Sequence, residues 1–341
     1  MRMLAMLLVV AGHSDWLFRS HPEAHRFIYL FHMPVFFFAS GCVFKYKSIP
    51  ALVANRAERL LLPYATVSIM ATVYYLYTKR PFSVDEPWSG LLWATGYSIP
   101  WTPLWFLPAL FLATVGHGVL ASVQKKKQLG LWFLTTSIAL LLLTQWIFLD
   151  LYRQDPLLNN TGRPLGWPWS LDMLPICMAY FALGALCSSP RLRALALQAS
   201  DRLHVLPFLA SLGVFIMLFN AGASLDLNHR RFQPFAGVVV ASISGILLLL
   251  LASKVLAGSA RLSVWAAAFS EKIMLIFLLH SPIQAAVLRA LPSDRLSSAA
   301  VAYVVAILVP MLLHTVLIKR WPLANFLLGG GRRPLRQLSP A

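Results

Sequence analysis

The chain has 341 residues, of which 58% are hydrophobic and only 12% are charged, and its mean hydropathy is +0.68. A soluble domain carries about 25% charged residues, so this composition excludes a soluble globular protein and indicates a polytopic membrane protein. The formal net charge of +17 could suggest a nucleic-acid partner, but the basic residues stand between apolar runs, where topology signals are expected. We therefore expect a lipid bilayer around the chain and no nucleic acid.

Hydropathy over windows of about 19 residues predicts an all-α membrane protein with about ten transmembrane helices in one bundle. Residues 1–320 are predicted to form one integral membrane domain, and residues 321–341 a basic cytoplasmic tail. The predicted spans are 3–18, 27–45, 59–78, 104–121, 129–149, 171–187, 205–220, 233–253, 265–283 and 297–318.

Lys and Arg residues predict the orientation. The N-terminus, the even-numbered loops and the tail carry nearly twice as many of them as the odd-numbered loops. The positive-inside rule therefore places both termini in the cytoplasm, as an even number of spans requires. We expect a multi-pass protein of the cell's inner (plasma) membrane.

The first predicted span carries a cation and an imidazole on one helix face. Arg2 precedes His13 by eleven residues, which is close to three turns, so the two side chains lie roughly 16 Å apart along one face. On the predicted topology His13 lies near the midplane, where an ionisable group indicates a functional site. Two alternatives stay open: an imidazole used only for packing, and a signal peptide whose cleavage would remove Arg2.

Two further polar residues could act with His13. His32 lies in the outer half of the second predicted span at a similar depth, and Asp15 follows His13 by two residues. A neutral imidazole near a hydroxyl can act as a general base, and a carboxylate can orient it. We therefore predict His13, His32 and Asp15 as catalytic residues.

A pair of arginines, Arg56 and Arg59, stands at the cytoplasmic end of the third predicted span. Their spacing of three residues places both on one helix face. Two guanidiniums so placed suit bidentate binding of phosphate, which a nucleotide-bearing donor such as coenzyme A would offer. The alternative is a topology-setting pair that Glu58 partly neutralises.

His280 ends the ninth predicted span on the outer side, two residues before Pro282. It could cap the helix or line a pocket for the acceptor. The three cysteines, Cys42, Cys177 and Cys187, have no metal-ligand spacing, so we expect neither a metal site nor a disulfide framework.

Six short motifs follow one another along most of the chain. They are Arg2 and His13 with ten residues between them, FHMPVFFFASG at 31–41, RAERLLLPY at 56–64, PLWFLPAL at 103–110, LDMLP at 171–175 and IFLLH at 276–280. Together, and in this order, they resemble membrane-bound acyltransferase family 3, and within it the fucose 4-O-acetylase-like branch.

The resemblance implies a ten-helix fold that transfers an acyl group, usually acetyl, from cytoplasmic acyl-CoA to a hydroxyl of an extracytoplasmic sugar or polysaccharide. It implies that Arg2 and His13 are the Arg-x10-His pair of the family, and that Arg56 and Arg59 are its Arg-x-x-Arg pair. Acetyl-CoA would then be the acyl donor, bound by Arg2, Arg56 and Arg59.

Trp105 and His280, which lie in two of these motifs, are predicted to bind the substrate. We expect His13 to deprotonate the sugar hydroxyl, while His32 positions it or stabilises the oxyanion. Two rivals stay open: a transporter or flippase for a lipid-linked glycan with the histidines as a proton relay, and an enzyme that transfers succinyl instead of acetyl. Transporters often show inverted repeats, and none is evident in this sequence.

Overall fold

The computed structural model describes residues 1–78, 93–95, 99, 101–123, 129–147, 166–189, 205–292 and 294–329. This part of the chain is nearly all-α, as predicted. Most of the predicted basic tail and much of the predicted loops lie outside the described residues. The division into a membrane domain and a tail therefore stays a prediction.

The described helices pack around one apolar core. In chain order they are α1 (Arg2–Gly12), α2 (Asp15–Ser20), α3 (Pro22–Tyr29), α4 (His32–Cys42), α5 (Ile49–Arg56), α6 (Leu62–Tyr77), α7 (Phe106–Ser122), α8 (Leu129–Trp146), α9 (Leu174–Cys187), α10 (Val205–Asn220), α11 (Phe235–Ala257), α12 (Ala260–Ser270), α13 (Ile273–Ala290), α14 (Leu296–Leu313) and α15 (Pro322–Leu328). A π-helical turn at Ala57–Leu61 joins α5 to α6, and another at His314–Ile318 follows α14. Short 3-10 segments, Thr102–Trp105 and Pro168–Met173, lead into α7 and α9.

Six helical segments in the described part of the chain are long and apolar enough to cross a membrane. They are Ile49–Tyr77, Thr102–Ser122, Pro168–Cys187, Phe235–Ala257, Ile273–Ala290 and Leu296–Ile318. The helices at Arg2–Gly12, Leu134–Trp146 and Val205–Asn220 are apolar but shorter. The protein is thus a multi-pass membrane protein, and the predicted number of ten spans is not confirmed.

The first predicted span, 3–18, is not one helix. α1 ends at Gly12, and a new helix begins at Asp15 after Ser14, whose backbone is extended (φ −79°, ψ 116°). The break frees the carbonyl of Val10, and the side-chain amide of Gln284 on α13 donates to it at 2.7 Å. A neighbouring helix therefore supplies the hydrogen bond that the broken helix lacks.

The second predicted span, 27–45, is broken in the same way, between α3 and α4. Pro34 lies in the first turn of α4, where a backbone N–H would have no partner within the helix, so its absence costs nothing there. In a continuous helix, however, the N–H of residue 34 would donate to the carbonyl of Leu30, and proline cannot do so. The hydroxyl of Ser242 on α11 donates to this carbonyl at 2.5 Å. The two breaks put His13 and His32 at helix ends instead of within helices.

The ninth predicted span, 265–283, begins later than predicted. Its first part belongs to α12, and α13 starts at Ile273 after the adjacent charges Glu271 and Lys272. The ammonium of Lys272 donates to the carbonyl of Ala268 at the end of α12, at 2.7 Å. Because α13 runs on to Ala290, His280 lies in the middle of this helix and does not end it, which corrects the predicted position.

α4 and α9 approach each other closely through a pair of glycines. A methyl group at Gly41 would meet the backbone of Phe181, and one at Gly184 would meet the backbone of Phe38. Small residues at helix interfaces in membranes allow this approach. The contact fixes α4, and with it the position of His32.

One feature that the all-α prediction missed is a short hairpin between α10 and α11. Strands β1 (Ser224–Asp226) and β2 (Arg231–Gln233) pair antiparallel, with Asp226 opposite Arg231. Six paired residues are too few to produce the alternating pattern that identifies a strand in a sequence.

Candidate active site

Two cavities lie at the opposite ends of α1. The first, which we call the histidine cavity, has a volume of about 190 Å³; its lining includes His13, Asp15, Tyr29, His32, Trp105, Asp226, Asn228, His229, Phe277 and Ser281. The second, the arginine cavity, has a volume of about 290 Å³; its lining includes Arg2, Phe36, Arg56, Arg59, Phe106, Glu271, Phe277 and Gly329. Arg2 and His13 therefore line two separate cavities at opposite ends of the same helix.

Three histidines from three helices meet at the end of α1. The ring of His13 is half-buried, and its centroid lies 6.4 Å from that of His32 and 5.2 Å from that of His280. The ring of Tyr29 packs beside the same pair, 6.2 Å from His13 and 4.5 Å from His32. Residues far apart in the sequence thus build one cluster, of which His13, His32 and Tyr29 line the histidine cavity.

Backbone carbonyls fix the tautomers of two of these histidines. Nδ1 of His32 lies 3.1 Å from the carbonyl oxygen of Ile28, and Nδ1 of His280 lies 2.8 Å from that of Phe277. A carbonyl oxygen only accepts, so in both neutral rings Nδ1 must carry the proton. Nε2 of each ring then carries no proton and can only accept. In His280 this atom is buried and has no hydrogen-bond partner within the described ranges.

The other residues predicted at this end of the site occupy different positions. Trp105 is 4% exposed and lines the histidine cavity, as does Asp15. In the described part of the chain no hydrogen bond joins the Asp15 carboxylate to an imidazole. His280 is fully buried and lies behind His13, outside the residues that line the cavity.

The hairpin contributes a pair of polar residues that the sequence did not single out. Nδ1 of His229 lies 2.5 Å from Oδ2 of Asp226, and the backbone N–H of His229 donates to Oδ1 of the same carboxylate at 3.0 Å. Burial alone would raise the pKa of Asp226, but the hydrogen bonds and the nearby charge of His229 outweigh it and lower the pKa. The carboxylate is therefore ionised on the wall of the histidine cavity.

A third cavity adjoins the histidine cavity and shares His13 and Asp15 with it. This side cavity, of about 290 Å³, is lined further by residues that include Tyr74, Trp101, Gln284 and Arg289. The guanidinium of Arg289 donates to the hydroxyl of Tyr74 at 3.3 Å.

The three predicted phosphate ligands, Arg2, Arg56 and Arg59, all line the arginine cavity. The π-helical turn at Ala57–Leu61 changes the expected α-helical spacing, but both arginines of the pair still face this cavity. Nε of Arg56 and Nε of Arg59 are buried and have no hydrogen-bond partner in the part of the chain that the structure describes. No ion pair joins Glu58 to either of them within the described residues, so two buried donors are available for an anion.

One carboxylate, that of Glu271, also lines the arginine cavity. It faces the ammonium of Lys319 at 4.0 Å, which offsets part of its charge. Within the described ranges, no three His, Cys, Asp or Glu side chains are grouped as metal ligands.

A phenylalanine forms the wall between the two main cavities. Phe277 on α13 lines both of them. Its ring lies 5.5 Å from that of Phe106 and 6.1 Å from that of His280. The ring of Phe277 thus borders both cavities, with Phe106 beside it on the arginine side.

Comparison with known proteins gives one kind of match. A protein-family model described as an acyltransferase domain matches residues 1–319. No curated protein and no solved structure matches the chain.

Proposed function

Because the chain belongs to the acyltransferase 3 family, whose domain matches residues 1–319, we propose that it is a membrane O-acetyltransferase of the fucose 4-O-acetylase-like branch. It moves an acetyl group from cytoplasmic acetyl-CoA to a hydroxyl of an extracytoplasmic sugar or cell-surface polysaccharide. In this proposal both termini lie in the cytoplasm of the plasma membrane, so the arginine cavity opens inward and the histidine cavity outward.

The observation that carries the proposal is the pair of cavities on either side of Phe277. One cavity holds two guanidinium Nε atoms that have no hydrogen-bond partner among the described residues, and the other holds imidazole nitrogens without protons. A donor that is anionic at one end and an acceptor that must lose a proton fit these two sites. Transfer between the two compartments then needs only that the acyl group reach the aromatic wall.

The arginine cavity fits the phosphates of the acyl donor. The unpartnered Nε atoms of Arg56 and Arg59 would donate to phosphate oxygens, and Arg2 would add a third guanidinium. Charge-assisted hydrogen bonds of this kind are shorter and stronger than neutral ones. The three arginines bind and orient the donor, with its thioester toward Phe277.

His13 acts as the general base at the other end of α1. It takes the proton from the sugar hydroxyl as the oxygen forms a bond to the thioester carbonyl carbon. The carbon–sulfur bond then breaks, the sugar ester is released, and coenzyme A leaves as a thiolate that is protonated from His13 or from water. General-base assistance of this kind contributes roughly 10²–10⁴-fold in rate.

The tautomers favour separate roles for the two neighbouring histidines. With its proton on Nδ1, neutral His32 accepts a hydrogen bond through Nε2, which suits positioning of the acceptor hydroxyl better than stabilisation of an oxyanion. The buried Nε2 of His280, 5.2 Å between ring centroids from His13, can accept the N–H of His13 and hold its second nitrogen toward the hydroxyl. We therefore propose that His280 orients the base, instead of binding the acceptor.

The test uses the purified full-length protein in lipid nanodiscs with labelled acetyl-CoA, labelled succinyl-CoA and a panel of glycosides. We expect release of coenzyme A together with labelled, base-labile sugar ester from acetyl-CoA. If labelled ester formed from succinyl-CoA alone, the transferred group would be succinyl instead of acetyl. Movement of a lipid-linked glycan without release of coenzyme A would identify a transporter and refute the proposal.

A further inference from the structure

The side cavity next to His13 has no part in the proposed reaction. It shares His13 and Asp15 with the histidine cavity, so the proposed base stands on the boundary between the two. The side cavity has a volume of about 290 Å³ and the histidine cavity one of about 190 Å³. Both volumes are below the roughly 300–1,000 Å³ of pockets for drug-sized ligands, so each cavity suits one sugar unit.

The hairpin between α10 and α11 forms a fixed wall of the histidine cavity, and its turn does not line the side cavity. The side chain of Arg230, 2% exposed, donates to the fully buried carboxylate of Asp172 at 2.9 Å. Arg26 of α3 donates to two backbone carbonyls near the end of α10, at 2.9 and 2.8 Å. Because these contacts hold the hairpin in place, an acceptor longer than one sugar unit can continue into the side cavity, on the other side of His13.

The two cavities differ in the charges of their walls. The histidine cavity carries the carboxylates of Asp15 and Asp226, and its described lining residues include no Lys or Arg. The described lining of the side cavity carries one carboxylate, the shared Asp15, and one guanidinium, that of Arg289. An acidic group is therefore repelled less, and attracted more, in the side cavity.

Arg289 is positioned by a neighbouring aromatic side chain. Its Nη1 donates to the hydroxyl of Tyr74 on α6 at 3.3 Å. In the part of the chain that the structure describes, no carboxylate forms an ion pair with Arg289. Its remaining N–H groups can therefore donate to a ligand, and a guanidinium suits bidentate binding of a carboxylate or a phosphate.

The other walls of the side cavity suit the body of a sugar. The half-buried Trp101 offers an aromatic face, and Thr102 and Ser281 offer hydroxyls. Gln284, 3% exposed, also lines the cavity, and its buried Oε1 has no hydrogen-bond partner among the described residues. A mostly apolar wall with a few well-placed polar groups is typical of small-molecule sites.

We infer that the side cavity is a second subsite for the acceptor, which takes the sugar unit next to the acetylated one, and that Arg289 binds a carboxylate or phosphate of that unit. The inference rests on the proposed function and names the substrate class of the same site: a glycan with an acidic unit beside the acetylated one. Arg289 is exposed, so its contribution lies between that of a surface ion pair and that of a buried charged hydrogen bond. This corresponds to a roughly 5- to 30-fold effect on acceptor binding.

The experiment compares disaccharides that differ in one carboxylate. The probes are methyl cellobioside, methyl maltoside and methyl lactoside, each with its counterpart oxidised to the uronic acid at C6 of the terminal unit. Their Kd values for the full-length protein in nanodiscs of zwitterionic lipid are measured by saturation-transfer NMR. We expect the wild-type protein to bind at least one uronic acid about 5- to 30-fold more tightly than its neutral counterpart.

Three variants assign this preference to the guanidinium. Arg289→Gln should abolish the preference and leave the Kd of the neutral disaccharide and the KM for acetyl-CoA unchanged. Arg289→Lys should keep part of the preference, because an ammonium retains the charge but not the planar fork. Arg295→Gln is the matched control, because Arg295 is an exposed arginine just before α14 that does not line the side cavity; it should keep the wild-type preference.

Two outcomes would overturn the inference. One is the absence of a preference in all three pairs, or its persistence in the Arg289→Gln protein. The other is retention of phosphatidylglycerol that depends on Arg289, seen by native mass spectrometry, without any such dependence for the disaccharides; this would assign the guanidinium to a lipid headgroup. Acetyl transfer in either case would leave the proposed function intact. A preference that depends on Arg289, without release of coenzyme A from acetyl-CoA, would refute the proposed function alone.

Discussion

At the histidine end of α1, backbone carbonyls fix two imidazoles and a carboxylate fixes a third. At the arginine end, the guanidinium Nε atoms of Arg56 and Arg59 have no hydrogen-bond partner among the described residues. The first end is built from breaks between helices, and the second from a helix that continues through a π turn. His32 and His280 adjoin His13, the proposed base, and groups that position a base must themselves be held before the substrate arrives. Long cationic side chains that bind several phosphates can instead take up their final conformation when the ligand binds.

Replacing His13, the proposed base, is the most direct test of this contrast between the two ends of α1. His13→Ala should lower acetyl transfer roughly 10²–10⁴-fold, because this is what assistance by a general base contributes. Transfer is measured as labelled sugar ester, and membrane insertion as recovery of monodisperse protein. His21→Ala is the control, since His21 is exposed and packs on Trp16 at 4.9 Å. Wild-type transfer by the His13→Ala protein would remove His13 from the reaction.

The arginine end should respond in binding and not in turnover. Arg56→Ala and Arg59→Ala should each raise the KM for acetyl-CoA about 10- to 100-fold, the cost of one charge-assisted hydrogen bond, and leave the KM for the acceptor unchanged. The lysine variants should recover only part of the loss, because an ammonium lacks the planar fork of a guanidinium. Initial rates at varied acetyl-CoA provide the measurement.

The control for this pair is Arg261→Ala, an exposed arginine at the start of α12. It should keep the wild-type KM for acetyl-CoA. If Arg56→Ala and Arg59→Ala changed the KM for the acceptor instead, the two cavities would have been assigned the wrong way round.

A feature of this arrangement could be predicted from the sequence when the residues that determine it are close together in the chain. The pairing of Arg2 with His13 follows from helix pitch within one segment, and the structure places both residues at opposite ends of α1. The breaks after Gly12 and before His32 depend on Gln284 and Ser242, which are 274 and 212 residues away from the carbonyls that they satisfy. Hydropathy alone therefore predicted continuous spans.

The hairpin illustrates the same limit. Asp226 and His229 are ordinary polar residues of a loop until Asp172, on the segment before α9, and Arg26, on α3, fix the chain around them. Their place beside His13 is a property of the tertiary structure. The apolar segments, in contrast, were predicted within a few residues for α6, α7, α9, α10, α11 and α14, since length and hydropathy are local.

The smallest expected effect concerns the hydrogen bond that ends α1. Gln284→Leu removes the donor to the Val10 carbonyl and leaves that carbonyl buried without a partner, which should cost about 1–3 kcal/mol of stability. It should also loosen the residues after Val10, so we expect a several-fold lower kcat with an unchanged KM for acetyl-CoA. Tyr303→Phe is the matched variant, because the Tyr303 hydroxyl donates to the carbonyl of Leu7, one turn earlier on α1, at 3.3 Å. Both variants should lower the melting temperature in detergent, but only Gln284→Leu should lower kcat. Equal losses of kcat would mean that turnover follows overall stability, and that the hydrogen bond that ends α1 has no special bearing on turnover.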